Sequence, residues 1–223
     1  MAKDTSMPDD LDVYFERHLL PPDAVLDGAE RRAEDAGLVP HAVSPLQGAF
    51  LHILARAISA RRILEIGTLG GYSSIWLARA LPADGRLISL EIDPHHREIA
   101  LRNISEAGLS GQVEVRLGPA ADSLAGMIAS DEPAFDLVFI DADKRSNPVY
   151  WDHALRLSHT GTLIIVDNVV RGGAILQDQT TDPHVEGVQI LFDRMAGEGR
   201  VTATALQTVG VKGHDGFAIA LVN

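Results

Sequence analysis

The chain contains no cysteine, which excludes disulfide bonds and thiolate metal sites. Hydrophobic residues make up 46% of the chain, but they occur in short blocks. No block approaches the roughly 18–20 apolar residues that a membrane-spanning helix needs. The amino-terminal segment, MAKDTSMPDDLD, is polar and acidic, whereas a secretory signal is basic and then apolar. We therefore expect a soluble cytoplasmic protein that does not associate with membranes.

Positive charge is also scarce, because 31 acidic residues outnumber 19 lysine and arginine residues and give a formal net charge of −12. Basic residues form pairs such as Arg31–Arg32 and Arg61–Arg62 rather than tracts. Since binding to a phosphate backbone depends on clustered positive charge, a nucleic-acid substrate is disfavoured. No internal repeat or low-complexity segment occurs, so the 223 residues predict a single domain.

Turn signals and apolar periodicity divide that domain into a helical extension, residues 1–60, and an α/β core, residues 61–223. Helices are predicted in the extension at 11–20, 22–37 and 44–60. In the core, short apolar strands at 61–68, 85–93, 112–118, 135–143 and 162–170 alternate with helices at 72–81, 94–108, 120–130 and 147–158. Such alternation predicts a parallel sheet that is covered by helices on both faces.

The carboxyl-terminal part departs from this alternation. A polar loop at 171–183 leads to a helix at 184–199, and two strands follow at 201–210 and 216–223. The turn between these strands is short, so they should pair antiparallel. The sequence therefore predicts a doubly wound, mostly parallel seven-stranded sheet of the Rossmann-like kind, with a reversed carboxyl-terminal hairpin strand.

A glycine-rich turn, Gly67-Thr68-Leu69-Gly70-Gly71, follows the first predicted strand, where ligands of open parallel sheets bind. Leu69 stands where the dinucleotide fingerprint G-x-G-x-x-G has its second glycine, and no G-K-[S/T] of a P-loop occurs. Glu65, just before the turn, would repel a pyrophosphate but attract the cationic aminoacyl-sulfonium of S-adenosylmethionine (SAM). The turn thus favours SAM over a dinucleotide, although glycines also make tight strand-to-helix turns without a ligand.

Glu91 ends the second predicted strand, about 20 residues after the glycine turn. A carboxylate at this place can accept hydrogen bonds from both hydroxyl groups of a ribose. The alternative is a solvated acid at a strand end. Combined with the glycine turn, Glu91 favours the binding of an adenosine-containing cofactor that has no phosphate on the ribose.

Polar residues also end the fourth and fifth predicted strands, Asp141 on one and Asp167-Asn168 on the other. These strands should be neighbours about 4.8 Å apart, so two carboxylates and an amide oxygen would converge. Oxygen ligands of this kind suit Mg²⁺. The alternative is that Asp167-Asn168 forms a turn and Asp141 caps a helix. The nine histidines show no metal-binding spacing, and neither H-E-x-x-H nor the nucleophile elbow G-x-S-x-G is present.

Seven segments occur in a characteristic order, namely SPLQGAFLHIL, ILEIGTLGGYSSIWLA, SLEID, GPAADSL, FIDADK, VDNVVRGG and TVGVKGHDGFAIAL. Each segment is moderately specific, whereas their order and spacing together are strongly so. From about Val43 onward the chain resembles the cation-dependent O-methyltransferases of the caffeoyl-CoA and catechol type, which are class I SAM-dependent methyltransferases.

The resemblance implies a function and a set of site residues. The chain would transfer the methyl group of SAM to a hydroxyl of a small phenolic, catechol-like acceptor, assisted by Mg²⁺, Mn²⁺ or Ca²⁺, and would form a homodimer. The catalytic residues would be Lys144, as the base, and Asp141. Asp141, Asp167 and Asn168 would hold the metal, and Tyr150 would line the acceptor site. The SAM contacts would be Val43, Glu65, Gly67, Thr68, Gly71, Tyr72, Ser73, Glu91, Ala120 and Asp141.

Two departures from the family pattern leave the acceptor open. The chain has no counterpart to the long amino-terminal substrate-recognition segment of the plant members, and the third carboxylate that grips catechol in the animal type has no assignable position. Methylation of a hydroxylated tRNA base is therefore an alternative. From other classes, a nucleotide-binding dehydrogenase is opposed by Glu65 and Leu69. A non-catalytic scaffold is opposed by the intact set of Asp141, Lys144, Asp167 and Asn168.

Overall fold

A computed structural model describes residues 6–223 of the chain. The first three helices are α1 (Ser6–Leu19), α2 (Ala24–Asp35) and α3 (Pro45–Ala57). The alternating part comprises β1 (Arg62–Ile66), α4 (Tyr72–Ala78), β2 (Arg86–Glu91), α5 (Pro94–Glu106), β3 (Val113–Leu117), α6 (Ala120–Ala129), β4 (Phe135–Ile140), α7 (Asn147–Arg156) and β5 (Ser158–Asp167). The chain then forms α8 (Pro183–Gly197), β6 (Val201–Gly210) and β7 (Gly213–Val222). Residues 1–5 of the polar amino-terminal segment, which we expect not to be a secretory signal, lie outside the described residues.

The seven strands form one sheet in the order β3-β2-β1-β4-β5-β7-β6. Strands β1 to β5 pair in parallel, and β7 is antiparallel to both of its neighbours. The predicted doubly wound sheet with a reversed hairpin strand is therefore confirmed. The strand order reverses between β1 and β4, and ligands of such sheets bind in the crevice beyond the carboxyl ends of the strands at that point.

Side chains of each strand alternate between the two faces of the sheet, and both faces are covered. Ile63 of β1 joins an apolar cluster with residues of α2, α3, α4 and α5. Its neighbour Leu64 joins a second cluster, which includes Trp151 of α7 and Val188 of α8. The helices α2 and α3 of the predicted amino-terminal extension thus share an apolar cluster with the sheet. Among residues 6–223, no helix has the length and apolar character needed to cross a bilayer.

Two details of the carboxyl-terminal half differ from the prediction. Residues Arg171–Leu176, expected as a polar loop, form a pair of tight 3-10 turns, because Gly172 and Gly173 adopt left-handed φ values of 61° and 89°. The predicted hairpin turn 211–215 is also shorter, since Gly213 already pairs with Gly210 and only Val211 and Lys212 lie between them. Gly213 has a left-handed φ of 85°, which is typical of the residue that follows a type I turn in a bulged hairpin.

Candidate functional site

The carboxyl ends of four parallel strands are joined by backbone hydrogen bonds at the crevice. The Gly67 N–H donates to Leu90 O at 3.0 Å, and the Asp141 N–H donates to Ile66 O at 2.8 Å. The Gly118 N–H donates in the same way to Glu91 O, which links β3 to β2. The residues that were predicted at separate strand ends are therefore held along one edge of the sheet.

The turn between β1 and α4 has left-handed backbone at three alternating positions, with φ 102° at Gly67, 48° at Leu69 and 80° at Gly71. A Cβ atom at Gly67 would overlap the carbonyl oxygen of Asp141, so only glycine lets β4 pass this closely. Gly71 is the N-cap residue of α4 and packs against Ala100. The glycines of this turn are thus required by close packing as well as by any ligand.

Glu91 is almost fully buried and holds the glycine turn in place. Its Oε2 accepts hydrogen bonds from the backbone N–H groups of Thr68 at 3.2 Å and Leu69 at 2.8 Å. Its Oε1 accepts from Ile92 and Asp93, each at 2.9 Å. A carboxylate has about four acceptor sites, so a ribose would have to share these oxygens with the backbone. The alternative reading of Glu91 as a solvated strand-end acid does not hold, because only 6% of the residue is exposed.

Glu65 is fully buried beneath the glycine turn, where three serine hydroxyls donate to its carboxylate. Ser73 donates to Oε1 at 2.6 Å, and Ser74 and Ser89 donate to Oε2. Burial raises the pKa of Glu65 to about 7, although the three hydroxyls act in the opposite direction. A cation that approached this carboxylate would favour its ionised form. The predicted SAM residues Glu65 and Ser73 therefore bond to each other here, and a direct cofactor contact stays a prediction.

The other predicted SAM residues occupy both sides of the turn. Val43 is buried and lines the cavity described below. The Thr68 hydroxyl bonds to the Ser89 hydroxyl at 2.5 Å. Tyr72 is buried, and burial raises its pKa to about 12. Ala120 is half-buried at the start of α6.

A cavity of about 430 Å³ lies beyond the carboxyl ends of β4 and β5. Its wall brings together five of the predicted residues, namely Val43, Asp141, Lys144, Asp167 and Asn168. Lys144 is only 6% exposed, and its Nζ lies 2.8 Å from Asp141 Oδ1. Asp167 is 5% exposed. The sequence therefore identified the polar side of this cavity.

Burial and the neighbouring Asp141 carboxylate raise the pKa of Asp167 well above its usual value. Lys144 and a hydrogen bond from Gln47 counteract the shift. The carboxyl groups of Asp141 and Asp167 thus share a single neighbouring lysine side chain, that of Lys144. Additional positive charge would lower the free energy of this arrangement.

The donor set fits a divalent cation, although it is not a cluster of the usual composition. Within residues 6–223, no three His, Cys, Asp or Glu side chains lie close enough to hold a metal ion. The predicted set has two carboxylates, Asp141 and Asp167, and one amide, Asn168, which is the all-oxygen donor type that Mg²⁺ prefers. Asn168 also adopts a left-handed φ of 55°, a conformation that asparagine tolerates better than most residues.

Tyr150 lies beneath the cavity rather than on its wall. The residue is 5% exposed and packs in the apolar cluster on the α7 side of the sheet. Its hydroxyl donates to Asp143 Oδ1 at 2.5 Å, and Asp143 in turn lines the cavity. Burial, and then the bond to Asp143, raises the pKa of Tyr150. Tyr150 thus supports the wall through Asp143, and a contact with an acceptor stays a prediction.

Seven further polar or charged residues line the cavity and are not among the residues predicted from the sequence: His41, Gln47, Asp143, Arg171, His184, Lys212 and Asp215. The sequence was searched only for histidine spacings typical of metal sites. Such spacings do not detect single histidines that line a cavity, such as His41 and His184. Arg171 follows Asp167-Asn168 by only a few residues. Its position shortly after a strand end could therefore have predicted a place at the site. Gln47 and Lys212 come from α3 and the β6–β7 turn, and only the fold brings them to this place.

The chain is similar to known proteins over nearly its full length. The profile of a family described as O-methyltransferase matches residues 24–221. A catechol O-methyltransferase of Niastella koreensis is 48% identical over 200 residues, which are 90% of each chain. An O-methyltransferase of Bacillus cereus, solved in complex with S-adenosylhomocysteine (SAH), superposes with a TM-score of 0.97 at 47% identity and covers 98% of this chain and 100% of that one. An O-methyltransferase of Streptomyces achromogenes, solved with SAM, gives 0.95 at 46% identity and 99% of both chains.

Proposed function

Because this chain belongs to the O-methyltransferase family, we propose that it transfers the methyl group of SAM to a hydroxyl oxygen of a small, catechol-like acceptor with the help of a divalent cation. The observation that carries the proposal is the buried pair of Lys144 and Asp141, with Asp167 and Asn168 on the same cavity wall. Relatives of nearly half identical sequence bear the names catechol O-methyltransferase and O-methyltransferase.

The proposed cofactor site lies at the β1 and β2 end of the crevice. Glu91 would accept from the ribose hydroxyls, and the loop around Ala120 after β3 would reach the adenine. Glu65, buried below the turn, would lie near the positive charge of the aminoacyl-sulfonium part. The SAM-bound and SAH-bound relatives that share this fold support the cofactor assignment.

The proposed reaction breaks the bond between the sulfonium sulfur and its methyl group and forms a bond between that methyl group and the acceptor oxygen. As the proposed base, Lys144 would accept the hydroxyl proton on Nζ in its uncharged amine form and become an ammonium group, and the products are SAH and a methyl ether. Holding the two reactants in line supplies most of the rate enhancement in such a transfer. When bound by Asp141, Asp167 and Asn168, a divalent cation would stabilise the negative charge of the ionising acceptor hydroxyl.

Three groups of this chain have separate tasks in the proposal. Lys144 is oriented by its 2.8 Å contact with Asp141. Asp167 shares the cavity wall with Gln47, whose side chain lowers the pKa of the Asp167 carboxyl and thereby favours its ionised form. Tyr150 fixes Asp143 and thereby the segment between β4 and α7.

The function is tested by methyl transfer from SAM to a panel of catechols, flavonoids and caffeoyl esters, with and without Mg²⁺. Thermal-shift measurements with SAH and with NAD separate the methyltransferase from a dehydrogenase. A hydroxylated tRNA is included as acceptor, because preferential turnover of that substrate would replace the catechol assignment. Stabilisation by NAD alone, without methyl transfer to any acceptor, would contradict the proposal.

We also propose a homodimer in the cytoplasm. The edge strand β6 is exposed along nearly its whole length, and Leu206 and Val209 are more than half exposed on it. Helix α1 contacts β6 and exposes Leu11 and Phe15. Contiguous exposed apolar side chains indicate an interaction surface. Light scattering during size-exclusion chromatography measures the mass, and a mass of one chain at micromolar concentration would contradict the dimer.

A further inference from the structure

Arg171 lies on the wall of the cavity that also contains Asp167 and Asn168. It is half-buried and comes directly after the segment that leaves β5. Its backbone N–H donates to Asp215, whereas its guanidinium group forms no salt bridge with any carboxylate of residues 6–223. The guanidinium group of this half-buried residue is thus available to a ligand.

The backbone of Arg171 is held in an unfavourable conformation. Its φ is 55°, in the left-handed region, which costs a non-glycine residue of the ordinary L configuration about 1–2 kcal/mol. Asp215 of β7 braces the segment, because its Oδ1 accepts from the N–H groups of Val170 at 2.9 Å and Arg171 at 3.1 Å. Glycine would adopt this φ without strain, so the strained backbone is a reason to look for a role of the arginine side chain.

The charges of the cavity wall are unevenly paired. Asp141 pairs with Lys144, Asp143 accepts from Tyr150, and Asp215 accepts from two backbone N–H groups. By contrast, no salt bridge with a carboxylate is formed by four cation-capable side chains of the wall in the part of the chain that the structure describes, namely His41, Arg171, His184 and Lys212. Of these four residues only Arg171 is half-buried, whereas the other three are exposed.

Arg171 belongs to the acceptor side of the crevice. The glycine turn and Glu91 follow β1 and β2, whereas Arg171 follows β5, and β4 separates β1 from β5 in the sheet. Two strand spacings correspond to about 9.6 Å, so the acceptor side and the cofactor turn are different regions of the crevice. The carboxylate of bound SAM is the other anion that could reach the guanidinium group of Arg171. The KM for SAM distinguishes an acceptor carboxylate from the SAM carboxylate.

We propose that the acceptor is an anionic catechol and that Arg171 binds its carboxylate. The substrate class is an ortho-dihydroxy aromatic acid, with the carboxylate on the ring or on a short side chain. A guanidinium group pairs with a carboxylate through two parallel N–H···O hydrogen bonds, and the exposed His184 provides a further donor. The inference rests on the proposed methyl transfer and adds the chemical class of its acceptor.

The test compares two acceptors that differ by one carboxylate, 3,4-dihydroxybenzoate and catechol, in wild type and in Arg171→Gln. Arg156→Gln is the matched control, since it removes the same charge from an exposed site at the carboxyl end of α7. We expect the variant to lower kcat/KM for 3,4-dihydroxybenzoate roughly 10- to 100-fold, the size of a lost charged hydrogen bond, mainly through KM. Turnover of catechol and the KM for SAM should stay within about threefold, as should every value of the control.

The carboxylate also changes the acidity of the catechol hydroxyls. For this reason the quantity compared between wild type and variant is the ratio of kcat/KM for the two acceptors. Arg171→Lys, which restores the charge without the planar fork, should recover part of the preference. An equal loss for both acceptors would overturn the inference and assign Arg171 to loop structure. A rise in the KM for SAM alone would assign the anion to the cofactor.

If wild type methylates catechol, but Arg171→Gln shows no loss of activity that is specific to 3,4-dihydroxybenzoate, only this inference fails. If wild type methylates neither acceptor nor any other catechol, the proposed function fails with it.

Discussion

Lys144 Nζ lies 2.8 Å from Asp141 Oδ1, and the lysine is 6% exposed although the two residues are only three positions apart. An exposed lysine at the start of a helix would be expected from local sequence alone. Here the short 3-10 turn Lys144–Ser146 and the close packing of α8 cover it, since Gly187 of α8 touches the Lys144 backbone. Lysine is rarely buried in proteins unless it is paired, so its place beside Asp141 on the cavity wall makes Lys144 a candidate for a role in the chemistry.

The first prediction concerns this lysine. Lys144→Met should lower kcat about 10²–10⁴-fold, the usual contribution of a positioned base. The KM for SAM should change by only a few-fold, because the lysine lies on the acceptor side. Arg145→Met is the control, as it removes the exposed neighbouring cation and should keep near wild-type kcat. Retention of more than about a third of kcat by Lys144→Met would assign the proton to another acceptor.

The second prediction concerns the metal. EDTA should abolish methyl transfer by wild type, and Mg²⁺ or Mn²⁺ should restore it. Asp167→Asn should reduce cation-dependent turnover roughly 100-fold or more, because it would remove a charged ligand of the proposed cation. Binding of SAH, followed by calorimetry, should be preserved in this variant. Full activity of exhaustively chelated wild type would rule out the cation.

Asp167→Asn also has an expected signature in stability. Since the pKa of Asp167 is raised in the folded state, its contribution to stability is present at low pH and is lost as pH rises through the folded pKa. Without metal at pH 8, the variant should therefore have a Tm at least equal to that of wild type. Mg²⁺ should raise the Tm of wild type and leave that of the variant unchanged. The prediction would be contradicted if the variant had a lower Tm than wild type and Mg²⁺ still raised that Tm.

The third prediction separates binding from chemistry at Glu91. Glu91→Gln keeps the shape of the side chain but loses the charge and two of the acceptor sites that hold backbone N–H groups. The KM for SAM should rise roughly 10- to 100-fold with little change in kcat, because the proposed ribose contact would be the same before and during methyl transfer. Glu114→Gln on β3 is an exposed control. A collapsed kcat at unchanged KM would place Glu91 in the chemical step instead.

The fourth prediction is a pH dependence caused by Glu65. The pKa of this carboxyl is 4.5 in its ordinary state and about 7 in the fold, so between these values the folded protein holds a proton that the unfolded chain releases. The resulting stability is complete below pH 4.5 and is lost as pH rises through 7. Urea unfolding of the cofactor-free protein between pH 5 and 8 should show this decline, at most about 1.4 kcal/mol per pH unit. Glu65→Gln should lack that part of the decline, whereas parallel curves for the two proteins would exclude Glu65 as its source.

Alternation of short apolar strands with amphipathic helices determined the fold class, because a strand buried on both faces requires helices on both sides. The positions of Asp141, Asp167 and Asn168 were also predictable, since the carboxyl ends of neighbouring parallel strands meet at one edge. The glycine turn and Glu91 were identified for the same reason. All of these are local signals combined with one rule of sheet topology.

Tertiary structure decided which side chains are buried at that edge and what they contact. The hydrogen bonds of Glu91 to the N–H groups of Thr68 and Leu69, and of Glu65 to three serines, depend on distances between separate strands and helices, which no local pattern encodes. The same holds for the cavity residues Gln47, Arg171, His184 and Lys212, which come from four different segments. These residues line one cavity only because the fold brings the four segments together, and that convergence is a property of the packed molecule.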